Sequence, residues 1–531
     1  MYSQLIMTIK GAALLFGAIY AFAALLRPED AKWVKGAPLK LFVGLYVVGM
    51  WAHNIWVLYL ACVIAIPLLS KKRADVAPIY MIAFLAMPGL YFKIQIGGHY
   101  LFAVTKYTFC AIGLFLAYYL RTSSGPRLHK RFDLPIVLVL ILELSQARDS
   151  DPTEMLRQFL PIVFTIALPY YLLSRSINSA EDARKFALAF ALGGFVLAIV
   201  ATVEARTHWL LYKQMESYLH IVYGNTSAFT QMRGGMLRAP ASFSESTSLG
   251  AFLAAATLAV WALRQSFASR GKWYIACGVL LVGLIAPNSR NALVGVAIGL
   301  LLFDFYRRKW GALFSKVALA GGCYLMLLTA AQFSPYAANL IGRGGDTQSS
   351  NDYRVLLLRR GLEEIHKHPL LGTTMKTAMS NLQDIEQGQH IVDLVNGYIT
   401  YGLTLGYIGM IFLLLVFVSL ALAMLAARRK LTPNPMLHDL AAFTFSVAGF
   451  MILVAAFTSF GGEGNLYFYM VAVLGSSLWA LRRTAAMEPG EAATSATVSG
   501  PAIQALIRRD RDAARNRRAE EPLRPESPLP V

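Results

Sequence analysis

Hydrophobic runs long enough to cross a membrane recur along this chain from residue 5 to residue 482. A helix needs about 20 residues to traverse a hydrocarbon layer of roughly 30 Å. Fifteen such runs are expected as spans, centred near residues 15, 45, 62, 86, 110, 139, 167, 194, 255, 280, 298, 323, 411, 448 and 473. With 56% hydrophobic residues in 531, the chain has more apolar surface than a soluble core can hide. Open sheet edges cannot be satisfied in lipid, and continuous apolar runs do not alternate as barrel strands do. The sequence therefore predicts an all-α, polytopic integral membrane helical bundle of about 12–15 transmembrane helices with a large outer, periplasmic loop. The first run, Leu5 to Leu26, is not followed by a small-residue cleavage site and is expected to stay as a helix.

The runs divide the chain into a membrane domain, 1–482, and a tail, 483–531, too poor in large apolar residues to fold alone and expected to be a disordered cytoplasmic extension. Between Leu39 and Ser70 the run is too long for one crossing and is expected to turn back at Trp51-Ala-His-Asn54.

The net charge of +19 would suggest nucleic acid in a soluble protein, but here the basic residues sit in turns between apolar runs, and no nucleic-acid partner is expected. One alternate set of turns spans 27–40, 71–73, 121–131, 175–185, 264–272, 307–316 and 428–430, with 24 Lys and Arg. The short turns between them hold only Lys93, Arg148, Arg157 and Arg290. Cytoplasmic loops carry the Lys/Arg excess, so the first set is assigned to the cytoplasm of a bacterial inner membrane. Two long segments, 206–245 and 334–396, then fall on the outer face, where function concentrates on loops. In the second, Tyr353 to His366 reads as an amphipathic helix stopped by His368-Pro369 and Gly372. The four cysteines lie in apolar runs without metal spacing and read as small core residues. No internal repeat argues for an inverted-repeat transporter.

Charge near membrane depth is costly and marks candidate sites. Arg238, in Met236-Leu-Arg-Ala-Pro-Ala-Ser-Phe243, precedes a helix starting near Thr247. It reads either as a planar fork for phosphate beside a helix N-terminus or as an interfacial arginine reaching headgroups. Arg290, in Ala286-Pro-Asn-Ser-Arg290, opposes the positive-inside trend; an anionic ligand or an acidic partner would account for it. His390 and Asp393, just before a helix, are each suited to general-base work, or are plain polar loop residues. Asp149 and Asp151 form an Asp-x-Asp pair, more often ordinary surface carboxylates than a metal site.

The ordered set Arg238-Ala-Pro-Ala-Ser-Phe243, Asn288-Ser-Arg-Asn-Ala292, Ile365-His-Lys-His-Pro-Leu-Leu-Gly372 and Asn396-Gly-Tyr398 with Gly402-Leu-Thr-Leu-Gly406 resembles the O-antigen ligase and O-antigen polymerase superfamily. The resemblance implies a membrane glycosyltransferase that takes glycan from an undecaprenyl-diphosphate-linked oligosaccharide, with no nucleotide sugar, metal or other cofactor. It implies that Arg238 and Arg290 bind the diphosphate, that Asp393 or His390 activates the acceptor hydroxyl, and that Asn396 and Tyr398 sit at the substrate. Tyr353, Arg354 and Arg359 are expected to close the loop over the glycan. Family ligases carry His where this chain has Val395, and the acidic residue nearby is more like the polymerase branch. Polymerisation of surface polysaccharide, exopolysaccharide or O-antigen, is thus expected, with transfer to lipid A core as the alternative and a lipid-linked oligosaccharide transporter as the reading from another class. Membrane lipid, a chain-length regulator and envelope-assembly proteins are the expected partners.

Overall fold

The computed structural model describes residues 2–96, 99–121, 130–145, 151–219, 232–233, 236–334, 338, 345–386, 392–456 and 463–482. In chain order the helices are α1 (Tyr2–Leu25), α2 (Pro28–Val34), α3 (Ala37–Trp51), α4 (Ile55–Leu69), α5 (Arg73–Ala86), α6 (Lys106–Arg121), α7 (Lys130–Ser145), α8 (Pro152–Ile162), α9 (Leu168–Ser176) and α10 (Ala180–Thr207). They continue as α11 (Lys213–Tyr218), α12 (Ser246–Ala262), α13 (Arg270–Gly283), α14 (Arg290–Tyr306), α15 (Trp310–Ala330), α16 (Gly345–Lys367), α17 (Met375–Asn381), α18 (Gly397–Leu431), α19 (Pro435–Val454) and α20 (Glu463–Leu481). The molecule is an all-α polytopic membrane protein.

Fourteen of the fifteen expected centres fall within these helices, and the one near 167 falls in the π-helical turn Val163–Ala167 that joins α8 to α9. Among the described residues, seven spans are long and apolar enough to cross by length and composition: 2–25, 28–51, 152–176, 180–207, 310–330, 397–431 and 435–454. Others are shorter. Helices α4 and α12 have 15 and 17 residues, a reach of roughly 22–26 Å at about 1.5 Å per residue, short of the hydrocarbon thickness. The run centred near 86 is displaced: its helix ends at Ala86, and Tyr91–Ile96 (β1) and His99–Thr105 (β2) form an antiparallel hairpin where only helix was expected. Arg157 donates from Nε to the Leu101 carbonyl at 2.8 Å, and the Trp56 ring meets Phe92 edge-on, so the strands stay at the end of the bundle. A second pair, β3 (Met232–Arg233) and β4 (Met236–Leu237), leads into the segment holding Arg238.

The turn expected at 51–54 is present: Asn54 caps α4 by accepting the Trp56 amide at 2.9 Å, and His53 takes a left-handed φ of 52°. At the centre, α10 buries one side chain after another, Phe186 through Ala198, against α5, α12 and α13. Its Ala- and Gly-rich sequence permits this close packing, as small residues do between membrane helices. Cys62 and Cys110 are buried with their sulfurs 3.5 Å apart, but Cys323, expected in the core, is exposed on α15.

The basic turns gather at one end. The Arg27 amide donates to Ser266 O at 2.9 Å, Arg184 clasps Asp30 at 2.6 Å, and Arg121 Nε donates to Ser70 O at 2.8 Å. Residues 208–219, 236–245, 284–289, 368–386 and 392–396 lie at the other ends of the same helices. The tail beginning at 483 lies outside the described residues.

Candidate functional site

Arg238 and Arg290 are 52 positions apart in sequence but flank one turn. The Ala239 amide donates to Ala286 O at 3.2 Å, and Arg238 Nε donates to Pro287 O at 3.2 Å. Arg290 opens α14 immediately after that turn, whose Asn288 has a φ of 49°. Gly250, in the first turn of α12, packs on Ser289 and Ala292. Two helix N-termini therefore stand side by side, and their aligned dipoles favour an anion at this place. Both arginines are half-buried.

Two buried ionisable side chains that the sequence reading did not single out hold the Arg238 segment in shape. Glu204, in the last turn of α10, accepts the Leu211 amide on one carboxylate oxygen and the Ala241 amide on the other, both at 2.9 Å. It thereby fixes Ala241 at a φ of 48°, a conformation that L-residues seldom adopt. Lys106 is 1% exposed; its Nζ donates to Ser242 O at 3.0 Å and lies 4.6 and 5.3 Å from the ring centroids of Phe84 and Phe243. The only available signal was a charge inside an apolar run.

Beside this segment a pocket is lined by Leu90, Glu204, Tyr212, Lys213, Glu216 and Pro240, among others. Burial pushes the Glu216 carboxyl up to about 7, against the attraction of Lys213. A carboxyl titrating near neutrality can take or give a proton there.

The outer unit has its own small core of Leu357, Ile365, Ala378, Leu382, Ile385, Val392, Leu394, Ile399 and Leu403. The expected helix at 353–366 is the C-terminal part of α16. Tyr353 donates its hydroxyl to Asp393 O at 3.1 Å. Partial burial raises the Asp393 carboxyl above its ordinary range, and Arg354 opposes the shift. The structure thus brings Tyr353, Arg354 and Asp393 together. Arg359 points away, 76% exposed by its side chain and paired with Glu363 at 3.2 Å; it is Arg360 that ties α16 to Asp384, at 2.7 Å. Asn396 caps α18 by accepting the Ile399 amide at 3.2 Å, and Tyr398 donates to Ile452 O at 2.8 Å. Both are engaged in seating α18 on α19, where the Gly397 amide also donates to Ala455 O at 2.7 Å. His390 and Asp149 lie outside the described residues, and Asp151 caps α8 through the Glu154 amide at 2.7 Å.

The loop 368–373 docks on a break in α18. Thr373 N donates to Leu403 O at 2.8 Å and Tyr407 N to Pro369 O at 2.7 Å. Gly406 has φ 64° and ψ −165°, a region essentially confined to glycine, and a Cβ there would stand 2.4 Å from the Leu370 carbonyl carbon. Gly372, at φ 60°, is equally close to the Thr404 carbonyl carbon, at 2.5 Å. His366 Nε2 lies 3.1 Å from the Tyr407 hydroxyl, closing the same junction.

Residues 275–414 match the model of the O-Antigen ligase family. That part of the chain is similar to the O-antigen ligase family, in line with the motifs of the ligase and polymerase superfamily. The matched segment runs from α13 into α18 and takes in Arg290, Tyr353, Arg354, Asp393, Asn396 and Tyr398. Arg238, Lys106, Glu204 and Glu216 lie before it. The superfamily's activity is that of membrane glycosyltransferases acting on lipid-linked glycan. No curated protein matches the chain.

Proposed function

We propose that this chain polymerises undecaprenyl-diphosphate-linked repeat units of a surface polysaccharide at the periplasmic face of the bacterial inner membrane. The observation that supports this best is the docking of the Arg238 segment on the 286–287 turn, which sets two arginines around one turn beside two helix N-termini. Preorganised cations and amides stabilise charge that develops on a leaving diphosphate. In the proposed reaction the acceptor hydroxyl gives its proton to the Asp393 carboxylate while its oxygen bonds to the anomeric carbon. The bond from that carbon to the diphosphate oxygen breaks, and the diphosphate leaves with the electron pair. A raised carboxyl is a better base than an ordinary aspartate, and His390 is the alternative for that role. Tyr353 and Arg354 position the Asp393 segment, Arg359, turned away and paired with Glu363, is left out of this reading, and Asn396 and Tyr398 seat the helix that follows.

Transfer of finished glycan to an acceptor such as lipid A core is the second reading. It is favoured by the match to the ligase family model and opposed by Val395, which stands where family ligases carry His.

The test is the size distribution of surface polysaccharide in a deletion strain complemented with wild type, Arg290→Ala or Asp393→Asn, with membrane levels checked by blot. Single repeat units in the deletion strain, and failure of both variants to restore long chains, support polymerisation. Long polymer left on its lipid carrier means ligation. Normal long polymer with both variants overturns the proposed site.

A further inference from the structure

At the opposite end of α14 from Arg290, 17 residues or roughly 25 Å away, lies an open pocket of about 190 Å³. Its walls are Trp261, Trp273 and Phe303, and its charged lining is Arg264, Arg307, Lys309, Lys316, Asp304 and Asp439. Both carboxylates are buried and each is already matched: Asp304 pairs with Lys316 at 2.5 Å and Asp439 with Arg307 at 2.9 Å. Arg264 and Lys309 make no side-chain hydrogen bond or ion pair among the described residues, although both feel the Asp439 carboxylate. Four cations thus face two carboxylates in this lining. Burial, with repulsion from Arg307 and Arg264, lowers the Lys309 ammonium below its ordinary range, against the attraction of Asp304 and Asp439.

The surroundings say what kind of anion fits. Ala312 and Lys316 of α15 form one side of the pocket, and no residue of α15 is buried. Leu319, 67% exposed and seven residues on from Ala312, continues the apolar surface of the same face of α15 beyond the pocket. Lys316 lies 4.8 Å from the Trp261 ring centroid, so the cations stand over an aromatic floor rather than in open water. A ligand with a phosphate at one end and hydrocarbon at the other matches this gradient.

We propose that the pocket between α12, α13, α14 and α15 binds the phosphate headgroup of an anionic lipid, held by Arg264 and Lys309, with its acyl chains along α15. Basic pockets between membrane helices on the cytoplasmic side take anionic headgroups in this way. The site is independent of the glycan-transfer site at the other end of the bundle.

The experiment uses the purified full chain in detergent, delipidated and then offered phosphatidylglycerol, phosphatidylcholine or inorganic phosphate. Retained lipid is counted by native mass spectrometry, and Tm is followed by tryptophan fluorescence. Wild type should retain phosphatidylglycerol and gain Tm from it but not from phosphatidylcholine. The double variant Arg264→Gln/Lys309→Gln should bind phosphatidylglycerol at least about tenfold more weakly, since two charge-assisted contacts are lost. The charge-preserving variant Arg264→Lys/Lys309→Arg should keep the binding, which separates lost recognition from misfolding. Equal retention by wild type and the Gln variant overturns the site. Protection by inorganic phosphate with none by phosphatidylglycerol overturns the lipid as its source.

Discussion

The Tyr353 hydroxyl donates to the main-chain carbonyl of Asp393 at 3.1 Å, joining α16 to the segment that leads into α18 across 40 residues of sequence. The next residue, Arg354, faces the Asp393 carboxylate and counters the rise that burial imposes on it.

Arg354→Ala should therefore lift the Asp393 carboxyl further. A base works deprotonated, so its activity is lost as pH falls through its folded-state value. The acidic limb of the pH–rate profile should move to higher pH in the variant, by about one unit for each ~1.4 kcal/mol of lost attraction. Rates of glycan transfer in proteoliposomes across pH 4–8 would show it; an unmoved limb would detach Asp393 from the proton transfer.

Glu204→Gln should loosen the Arg238 segment. The carboxylate accepts two amides, whereas a carboxamide offers one acceptor and turns a donor toward the other amide. The cost is about 1–3 kcal/mol for a buried group left unsatisfied. Hydrogen exchange should speed up at the Leu211 and Ala241 amides, and polymer should shorten with it, while α10 stays protected.

Glu216→Gln should stabilise the protein above neutral pH. A carboxyl at about 7 in the folded state binds its proton more tightly than in the unfolded chain, near about 4.3. Its penalty is complete above about pH 7, shrinks as pH falls toward the unfolded value, and is gone below it. After allowance for solvent screening at this half-exposed site, a gain of about 1–2 kcal/mol at pH 8 that vanishes by about pH 4 is expected in denaturant titrations.

Gly406→Ala should cost about 2 kcal/mol or more, because the backbone region is closed to L-residues and a Cβ would stand 2.4 Å from Leu370. Limited proteolysis should then cut within 368–373 in the variant and spare the wild type. Equal resistance would mean that the loop is held elsewhere.

The periodicity of apolar runs made the helices legible, and the charge of the short turns made the two ends of the bundle legible. The Gly372 stop and the Asn54 turn were readable because glycine, proline and capping residues act locally. The hairpin at 91–105 carried its own signal, polar Lys93 and Gln95 alternating with apolar neighbours before Gly97-Gly98, but a hydropathy window averages alternation away. Glu204 and Lys106 were not legible as anchors, because their partners, Ala241 and Ser242, lie 37 and 136 positions away. Asn396 and Tyr398 stood in a motif and were read as substrate contacts; the Asn396 cap on Ile399 is local, whereas the Tyr398 bond to Ile452 depends on tertiary packing that spacing does not encode.

The break at Gly406 has a mechanical consequence. It leaves 407–431 as a 25-residue rod whose first amide, that of Tyr407, donates to the Pro369 carbonyl, while Thr373 N holds Leu403 O just before the break. A helix longer than the local bilayer tilts to hide its excess length. A change of tilt would pull on Pro369 first, and through the 368–373 loop on the core between Leu357 and Leu403. The thickness of the surrounding membrane, and with it lipid composition, would then reach that core through the main chain.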